Sequence, residues 1–360
     1  MTITTRRHSG RSHEREYMKL KHPLSVAALF LATTWAQSTA SAHPPARFGA
    51  IETGKLSLYH TQNGVPRNDL SGAATDGNNI LFVDDGGDAG AGYGFNFVRV
   101  TSDLPDTDGV NIPLTKVHND VEGAAYSNGY FWITTSFSAA DPDTRHLTRF
   151  KLDARHNKLI GEQSVDITAS LNEGLRQTFG DEWYDSWKNL AAKSGGLNVE
   201  GLSASHKGGD RIVLGLRSPL FGGDFPTDLH SGNAILATVK NPFGAHPTWD
   251  FITADFGGLG VRGVEWIPAL HSYVVSAGPV EKATEYRLYQ VFPNGDVEQL
   301  NLPGMDQMCR PETVMQQTKR GKDYLVVISE DSGPECTGVP FTFIRAEIKK
   351  GNGGGHDCDD

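Results

Sequence analysis

Positive charge is in deficit in this sequence. Its 360 residues carry 33 Lys and Arg against 43 Asp and Glu, which gives a formal net charge of −10 at pH 7. Proteins that bind nucleic acids need a basic face, so this balance argues against a nucleic-acid partner. The excess of carboxylates instead fits a soluble protein that holds cations.

Three catalytic signatures are missing as well. The sequence has no Gly-x-Ser-x-Gly elbow, no Walker-type loop and no dinucleotide fingerprint with its glycines between a predicted strand and a predicted helix. Their absence removes support for an elbow-type serine hydrolase, a P-loop nucleotidase and a Rossmann oxidoreductase. The 41 glycines are better explained by tight turns between strands.

Long hydrophobic runs are also lacking. The apolar run from Pro23 to Ala36 follows the basic stretch at Met18 and precedes the small residues Ala40-Ser41-Ala42. It is too short to span a membrane and predicts a secretory signal peptide at residues 1–42, with Met18 as an alternative initiator. We expect one mature domain at 43–350, a flexible acidic tail at 351–360, and a location in the periplasm or outside the cell.

Cysteine is scarce, with only three residues in the chain. Cys309 precedes the last predicted inner strand, and Cys336 follows the next strand. Those two loops lie on the same face of a blade, and an exported protein can form disulfides, so we expect a Cys309–Cys336 bridge. Two separate thiols are the alternative. The third cysteine, Cys358, falls in the predicted tail.

One short phrase recurs along the chain. Its copies are centred on one residue each, about 50 residues apart with longer gaps at insertions, and we call these the slot residues: Ser71, Glu122, Glu200, Arg262 and Glu312. Each copy is followed by a turn and a short apolar strand. Such self-similarity in an all-β unit predicts propeller blades, whose inner strands bring the same slot to a central channel.

The strand pattern predicts an all-β fold, a β-propeller of five blades. Six blades stay open if the long first repeat contains another. The last blade lacks one strand, and the segment Lys55–His60 is left over at the start. We therefore expect the N-terminal strand to complete the last blade, which leaves no free sheet edge. Near residues 168–193 the apolar spacing becomes helical, which predicts a helical insert packed on a blade.

Several stretches resemble a secreted bacterial family, domain of unknown function 3616. They are Asp120-Val-Glu-Gly-Ala-Ala-Tyr-Ser-Asn-Gly-Tyr-Phe-Trp-Ile-Thr, Gly195-Gly-Leu-Asn-Val-Glu-Gly-Leu and Leu214-Gly-Leu-Arg-Ser-Pro-Leu. The resemblance covers most of the chain from Gly64 to Ile348. It implies a β-propeller and carries no settled activity.

A more remote likeness is to calcium-dependent apyrases, which are five-bladed propellers, and to phytase-like propellers. In the apyrases each blade supplies one Ser or Glu to a central calcium. This likeness implies that Ser71, Glu122, Glu200 and Glu312 hold calcium. The fourth slot departs from the pattern with Arg262, so either Glu265 replaces it as a ligand or Arg262 itself supplies the positive charge.

The chemistry of the slot residues points the same way. Calcium prefers six to eight oxygen ligands, and no His or Cys sits in the slot, so zinc is disfavoured. Alternatively, each Glu satisfies neighbouring backbone amides and is only a signature of the fold. On the predicted rim, Arg217, Arg262, Asp84 and Asp331 are candidates for binding a small anionic ligand. His118, Asp84 and Asp331 are weak candidates for a general base, and no catalytic residue is assigned.

Three functions follow from these residues. The first is a calcium-dependent hydrolase of phosphate esters or anhydrides, and the second is a non-catalytic binding propeller stabilised by calcium. The third is a glycosidase that uses Glu122 and Glu200 as its pair of catalytic carboxylates. If these two residues bind a metal ion, they are not available for that role. The sequence leaves the ligand and the oligomeric state open.

Overall fold

Five four-stranded antiparallel sheets form the blades of a β-propeller in the computed structural model. The structure describes residues 46–56, 60–62, 65–67, 70–84, 97–116, 118–138, 142–281, 285–330, 336 and 338–349. The predicted signal peptide, the predicted tail and Asp331 lie outside these residues. The five-bladed all-β prediction is confirmed.

The strands follow the repeats of the sequence closely. In chain order they are β1 (Arg47–Gly54), β2 (His60–Gln62), β3 (Val65–Arg67), β4 (Leu70–Thr75), β5 (Ile80–Asp84), β6 (Phe97–Thr101), β7 (Val110–Pro113), β8 (Val121–Ser127), β9 (Tyr130–Thr135), β10 (Leu147–Asp153), β11 (Lys158–Val165), β12 (Asn198–Ala204), β13 (Arg211–Phe221), β14 (Asn233–Lys240), β15 (Thr248–Ala254), β16 (Gly260–Ile267), β17 (Ser272–Gly278), β18 (Arg287–Val291), β19 (Val297–Leu300), β20 (Pro311–Lys319), β21 (Lys322–Ser329) and β22 (Phe343–Lys349). Blades 1 to 4 are β4–β7, β8–β11, β12–β15 and β16–β19, and β2 pairs with β3 in a hairpin.

Blade 5 is completed from the other end of the chain. Its strand order is β20, β21, β22 and then β1, with Arg47 opposite Lys349 and Gly54 opposite Phe343. An N-terminal strand therefore closes the ring, as predicted, but the segment Lys55–His60 is the wrong strand. The chain leaves the sheet at Gly54, whose carbonyl accepts from Thr342 N, and the side chain of Leu56 is buried in the core.

The predicted helical insert is confirmed as two helices, α1 (Thr168–Phe179) and α2 (Asp181–Trp187). Leu171, Leu175 and Trp187 are buried in the same apolar cluster as the strands of blade 3. Trp183 Nε1 donates to the carbonyl oxygen of Leu220 on β13 at 3.0 Å. The aromatic stripe of the insert thus packs against the blade. No helix in the described part of the chain is long and apolar enough to cross a membrane.

The inner strands contact one another in a closed circle, β4 to β8, β12, β16, β20 and back to β4. The inner strands begin on the face where each blade's second strand ends, and we call this side the entry face. The predicted disulfide also lies there: Cys309 and Cys336 are bonded, with a Cα–Cα distance of 5.4 Å. It ties the segment before β20 to the segment after β21.

Candidate functional site

Every inner strand contains a β-bulge at its slot residue. The pairing with the second strand of the blade shifts between Leu70 and Gly72, and the other four inner strands show the same shift around Glu122, Glu200, Arg262 and Glu312. A bulge leaves one residue unpaired and re-aims its side chain. The repeated phrase of the sequence therefore marks a repeated irregularity at five polar residues, of which Ser71, Glu200 and Glu312 line the axial cavity.

A glycine follows the slot residue in four of the five copies, because neighbouring inner strands approach closely there. A Cβ at Gly263 would overlap the carbonyl oxygen of Glu312 in the next blade. A Cβ at Gly72 would lie 2.8 Å from the backbone of Gly123 and Ala124. The glycines thus bring the slot residues close to the axis.

Ser71, Glu200 and Glu312 line one axial cavity of about 10 Å³, roughly the room that one water molecule needs. All three side chains are buried, and so is Glu122, the fourth acidic or hydroxyl slot residue. The same cavity is also lined by the apolar residues two positions after each slot: Ala73, Ala124, Leu202, Val264 and Val314. The axis therefore has a polar layer near the entry face and an apolar layer beneath it.

Two arginines clamp the carboxylate of Glu200. Arg217 Nη1 donates to Oε1 at 2.8 Å, and Arg262 Nη1 donates to Oε2 at 2.7 Å. Asn198 Nδ2 also donates to Oε1, at 3.0 Å. Burial raises the pKa of Glu200, but the two guanidinium charges outweigh burial and hold this pKa below its usual range. Glu200 is therefore ionised.

Arg262 occupies the fourth slot and lies between two carboxylates. Besides Glu200, its Nη1 lies 3.0 Å from Glu312 Oε1. Burial lowers the pKa of Arg262, but Glu200 and Glu312 outweigh it and raise the net value. Its Nε is buried and makes no hydrogen bond among the described residues. The positive charge at the fourth slot comes from the protein itself.

Glu312 differs from Glu200 in charge state. Burial raises the pKa of Glu312 to about 8, and this is the largest effect. The positive charge of Arg262 lowers this pKa, and repulsion from Glu330 raises it further. Tyr286 donates its hydroxyl to Glu312 Oε1 at 3.3 Å, and its ring centroid lies 5.6 Å from the Arg262 guanidinium carbon. Gly278 leaves room for this ring, because a Cβ there would lie 2.7 Å from it.

Glu265 lies apart from this group. It is three residues beyond the slot, is not among the residues that line the axial cavity, and forms a hydrogen bond with Ser203 of blade 3. Burial raises its pKa to about 8. The structure thus brings together Ser71, Glu200, Arg262 and Glu312, and places Glu265 between blades 3 and 4.

The rim candidates differ in their surroundings. Arg217 bridges blades 3 and 4, since its Nε donates to the carbonyl oxygen of Pro279 at 3.2 Å. Asp84 is buried at the end of β5, opposite Leu70. The candidate Asp331 lies outside the described residues, and its neighbour Glu330 accepts from Arg310 Nη1 at 2.8 Å. The carboxylate around which Arg217 and Arg262 fork is that of Glu200.

His118 is buried in blade 2, where its ring lies 4.9 Å from that of His146. Burial, with smaller effects from His146 and Lys116, lowers the pKa of His118 to about 4. It is therefore neutral near pH 7 and sits away from solvent.

Among the residues that the structure describes, no three His, Cys, Asp or Glu side chains are grouped so that they could hold a metal ion. The calcium ligand set of Ser71, Glu122, Glu200, Glu265 and Glu312 stays a prediction.

Sequence reasoning missed two members of the site. Asn198 could have been found, since it precedes Glu200 in the repeated phrase at the position that Asp120 holds in blade 2. Tyr286 could not, because it lies outside the phrase and reaches Glu312 only through the fold.

Residues 144–282 match the family model described as "Protein of unknown function (DUF3616)". This match confirms the resemblance to that family over residues 144–282, which contain the stretches that begin at Gly195 and Leu214. No curated protein matches the sequence.

Solved structures with a similar fold are distant. The extracellular domain of a one-component system from B. thetaiotaomicron is 12% identical with a TM-score of 0.35, covering 77% of this chain and 28% of its own. The Kuenenia stuttgartiensis hydrazine synthase is 11% identical with a TM-score of 0.34, covering 74% and 65%. A protein named as an oxidoreductase (glucose dehydrogenase) from Thermus thermophilus is 11% identical with a TM-score of 0.43, covering 84% and 100%. The chain thus covers less than two thirds of the length of the one-component-system domain and of the hydrazine synthase. Likenesses this remote have no bearing on function.

Proposed function

We propose that this protein is a non-catalytic binding propeller, which binds one anionic group of a small ligand at the mouth of its channel through Arg217 and Arg262. The observation that carries the proposal is the state of Arg262. Arg262 is 6% exposed, its described ion pairs with Glu200 and Glu312 both run through Nη1, and its Nε is buried with no hydrogen-bond partner among the described residues.

A guanidinium has five N–H donors, and a buried donor without an acceptor costs about 1–3 kcal/mol. A carboxylate or phosphate oxygen at the mouth would relieve that cost. The Arg217 side chain is 15% exposed and can meet such a group from the entry face. Paired arginines suit planar or tetrahedral oxyanions because their donors are fixed in a fork.

Two features favour binding over catalysis: the contacts of the Glu200 carboxylate and the small size of the axial cavity. Both oxygens of Glu200 accept from arginines, so this carboxylate is occupied. The axial cavity of about 10 Å³ is far below the roughly 300–1,000 Å³ of ligand pockets, so only one group of a ligand can reach the axis. The ligand itself would lie on the entry face.

The calcium-dependent phosphohydrolase suggested by the apyrase likeness is the competing proposal. The hydrolase proposal needs a metal ion to neutralise the charge of the acidic slot residues. In the binding proposal Arg217 and Arg262 supply the neutralising positive charge, and no metal ion is needed. The two therefore predict different responses to chelation.

We also propose that the protein works in the periplasm or outside the cell, with residues 1–42 removed. The Cys309–Cys336 disulfide supports this location, since such bonds persist in oxidising compartments. Fractionation of the producing cells, with N-terminal sequencing of the mature protein, tests it. Recovery from the cytoplasm with an intact N-terminus would contradict it.

Calorimetric titration with phosphate and with short carboxylates tests the binding proposal. We expect saturable binding by the wild-type protein, loss in Arg217→Gln, and no change in Arg155→Gln, which alters an exposed arginine of a turn. Metal analysis and melting with EDTA run in parallel. One tightly held calcium whose removal lowers the melting temperature, with hydrolysis of phosphate esters, would overturn the binding proposal in favour of the hydrolase.

A further inference from the structure

A second cavity lies on the entry face of blade 3, away from the axis. It has a volume of about 410 Å³, within the range of roughly 300–1,000 Å³ that small-molecule sites occupy. Its walls come from the end of β13, the segment before β14 and the turn that follows β15. Phe221, His230, Ser231, Asn233 and Asp255 supply its side chains.

Glycine backbone keeps this cavity open. Five glycines line it, and at Gly222 and Gly257 a Cβ would meet nothing within 4 Å. Both have positive φ, +84° and +67°, a conformation that other residues adopt only at a cost. The space is therefore not filled by neighbouring side chains, and the turn conformation keeps large side chains out of it.

Polar groups in the cavity have hydrogen-bonding capacity to spare. The side-chain amide of Asn233 makes no hydrogen bond among the described contacts. Among the described residues, Asp255 accepts only from Gly257 N, through Oδ1 at 2.9 Å, so Oδ2 can take a further donor. The only described partner of the His230 ring is Glu281, which lies 3.0 Å from Nε2, so Nδ1 is open to a ligand. Donors and acceptors thus occur side by side.

The charge of the lining excludes the anion proposed for the channel mouth. No Lys or Arg occurs among the described residues that line this cavity, and the only imidazole, His230, is paired with Glu281. Asp255 contributes a carboxylate. A ligand with a negative charge would be repelled, whereas hydroxyl groups can both donate to Asp255 and accept from Asn233.

One aromatic side chain completes the lining. Phe221 packs on the helical insert, with its ring 4.5 Å from Phe179 and 5.7 Å from Trp183. It gives the cavity an apolar, rigid element among the polar groups. Apolar surface next to a few oriented polar groups is the usual composition of a small-molecule site.

We propose that this cavity binds a neutral polyhydroxylated ligand such as a saccharide unit, with Asn233 and Asp255 as its hydrogen-bonding residues. The site is separate from the anion site at the channel mouth and does not depend on it.

The test is a titration of the purified protein with a panel of neutral monosaccharides and short oligosaccharides. Tryptophan fluorescence reports on the cavity through the contact of Trp183 with Phe221, and calorimetry gives the affinity. We expect at least one saccharide to bind saturably. Asn233→Ala should weaken that binding about tenfold or more, because a hydrogen bond to the half-buried amide is lost.

Three variants make the result decisive. Asp255→Asn keeps the oxygen that accepts from Gly257 N and should weaken binding without loss of fold. Asn189→Ala, at an exposed asparagine just after α2, should bind like the wild type. Arg217→Gln should lose the anion and keep the saccharide, so the two proposals fail separately. The proposal is overturned if no saccharide binds, if neither Asn233→Ala nor Asp255→Asn weakens binding, or if phosphate competes for the site.

Discussion

Arg262 Nη1 lies 2.7 Å from Glu200 Oε2, and this contact joins the inner strands of blades 3 and 4 at the propeller axis. Both side chains are more than nine-tenths buried. The same nitrogen lies 3.0 Å from Glu312 of blade 5. One guanidinium thus connects three consecutive blades, and changes to any of the three residues should be felt by the whole ring.

Replacing Glu200 by Gln should destabilise the protein strongly. The change leaves the buried charge of Arg262 with Glu312 alone, whose raised pKa keeps it protonated near pH 7, and removes the anionic partner of Arg217. Breaking a buried ion pair from one side costs about 3–5 kcal/mol. Urea unfolding measures the free energy of unfolding. Glu182→Gln, at an exposed position of α2, is the control, and equal stability of the two variants would refute the structural importance of the pair.

The raised pKa of Glu312 predicts how stability depends on pH. The folded protein holds a proton on this residue up to about pH 8, whereas the unfolded chain releases it near pH 4.5. The contribution of this proton to the free energy of unfolding is therefore fully present below about pH 4.5. It is lost as the pH rises from about 4.5 to about 8, at up to about 1.4 kcal/mol per pH unit. Glu312→Gln should lack this loss.

Thermal melting of the wild type and Glu312→Gln from pH 4 to pH 9 measures the difference. We expect the melting temperature of Glu312→Gln, relative to that of the wild type, to increase as the pH rises through this range. A constant difference between the two proteins would mean that Glu312 titrates normally.

Adding a methyl group at Gly263 should disturb the ring. A Cβ there overlaps the carbonyl oxygen of Glu312, which is backbone and cannot rotate away. Overpacking of this kind costs about 1–3 kcal/mol or more. Gly244→Ala, where the nearest atom is 3.2 Å from the added carbon, is the matched control. The two variants are compared by urea unfolding, and a Gly263→Ala protein as stable as the control would contradict the close approach of the strands.

Removing the disulfide should loosen the entry face of blade 5. Cys309 and Cys336 are separated by 27 positions in the sequence, and a cross-link of that span is worth about 3.5 kcal/mol by loop-closure entropy. The double variant Cys309→Ser/Cys336→Ser should melt at a lower temperature in non-reducing buffer. In dithiothreitol the wild type should approach the variant. Identical melting of both proteins without reductant would show that the bond adds no stability.

Arg345 should matter for closure of the ring. From β22 it donates to Glu52 of the closing strand β1 and, at 2.8 Å, to Asp103 after β6 of blade 1. Its partners are partly exposed, so we expect Arg345→Met to cost about 1–2 kcal/mol, less than a fully buried pair. Arg155→Met is the control in the same unfolding assay. Equal stability would exclude a role of this network in closure.

Sequence periodicity was enough to predict the blades and the disulfide, because strands and turns recur with local signals. The same logic failed for the closing strand. Both Arg47–Gly54 and Lys55–His60 can form strands, and only pairing with β22 selects the first. That pairing joins opposite ends of the chain, so no short stretch of the sequence indicates which segment takes part in it.

The candidate site divides in a similar way. The slot residues were predicted because one short phrase recurs in every inner strand, with a glycine after the slot in four of the five copies. Their partners were not predicted. Whether Arg262 or Glu265 joins the carboxylates depends on which side chain the bulge turns toward the axis, and Tyr286 reaches Glu312 from another segment.

The sequence by itself determined that the chain is an all-β repeat protein with one polar position per repeat, since strand periodicity and turn chemistry act over short distances. Only the tertiary structure decided how the charges of those positions are balanced. Charge balance depends on distances between side chains of different blades, and the closed ring sets these distances. The resulting pairs put Arg262 between Glu200 and Glu312, and Glu265 outside the site.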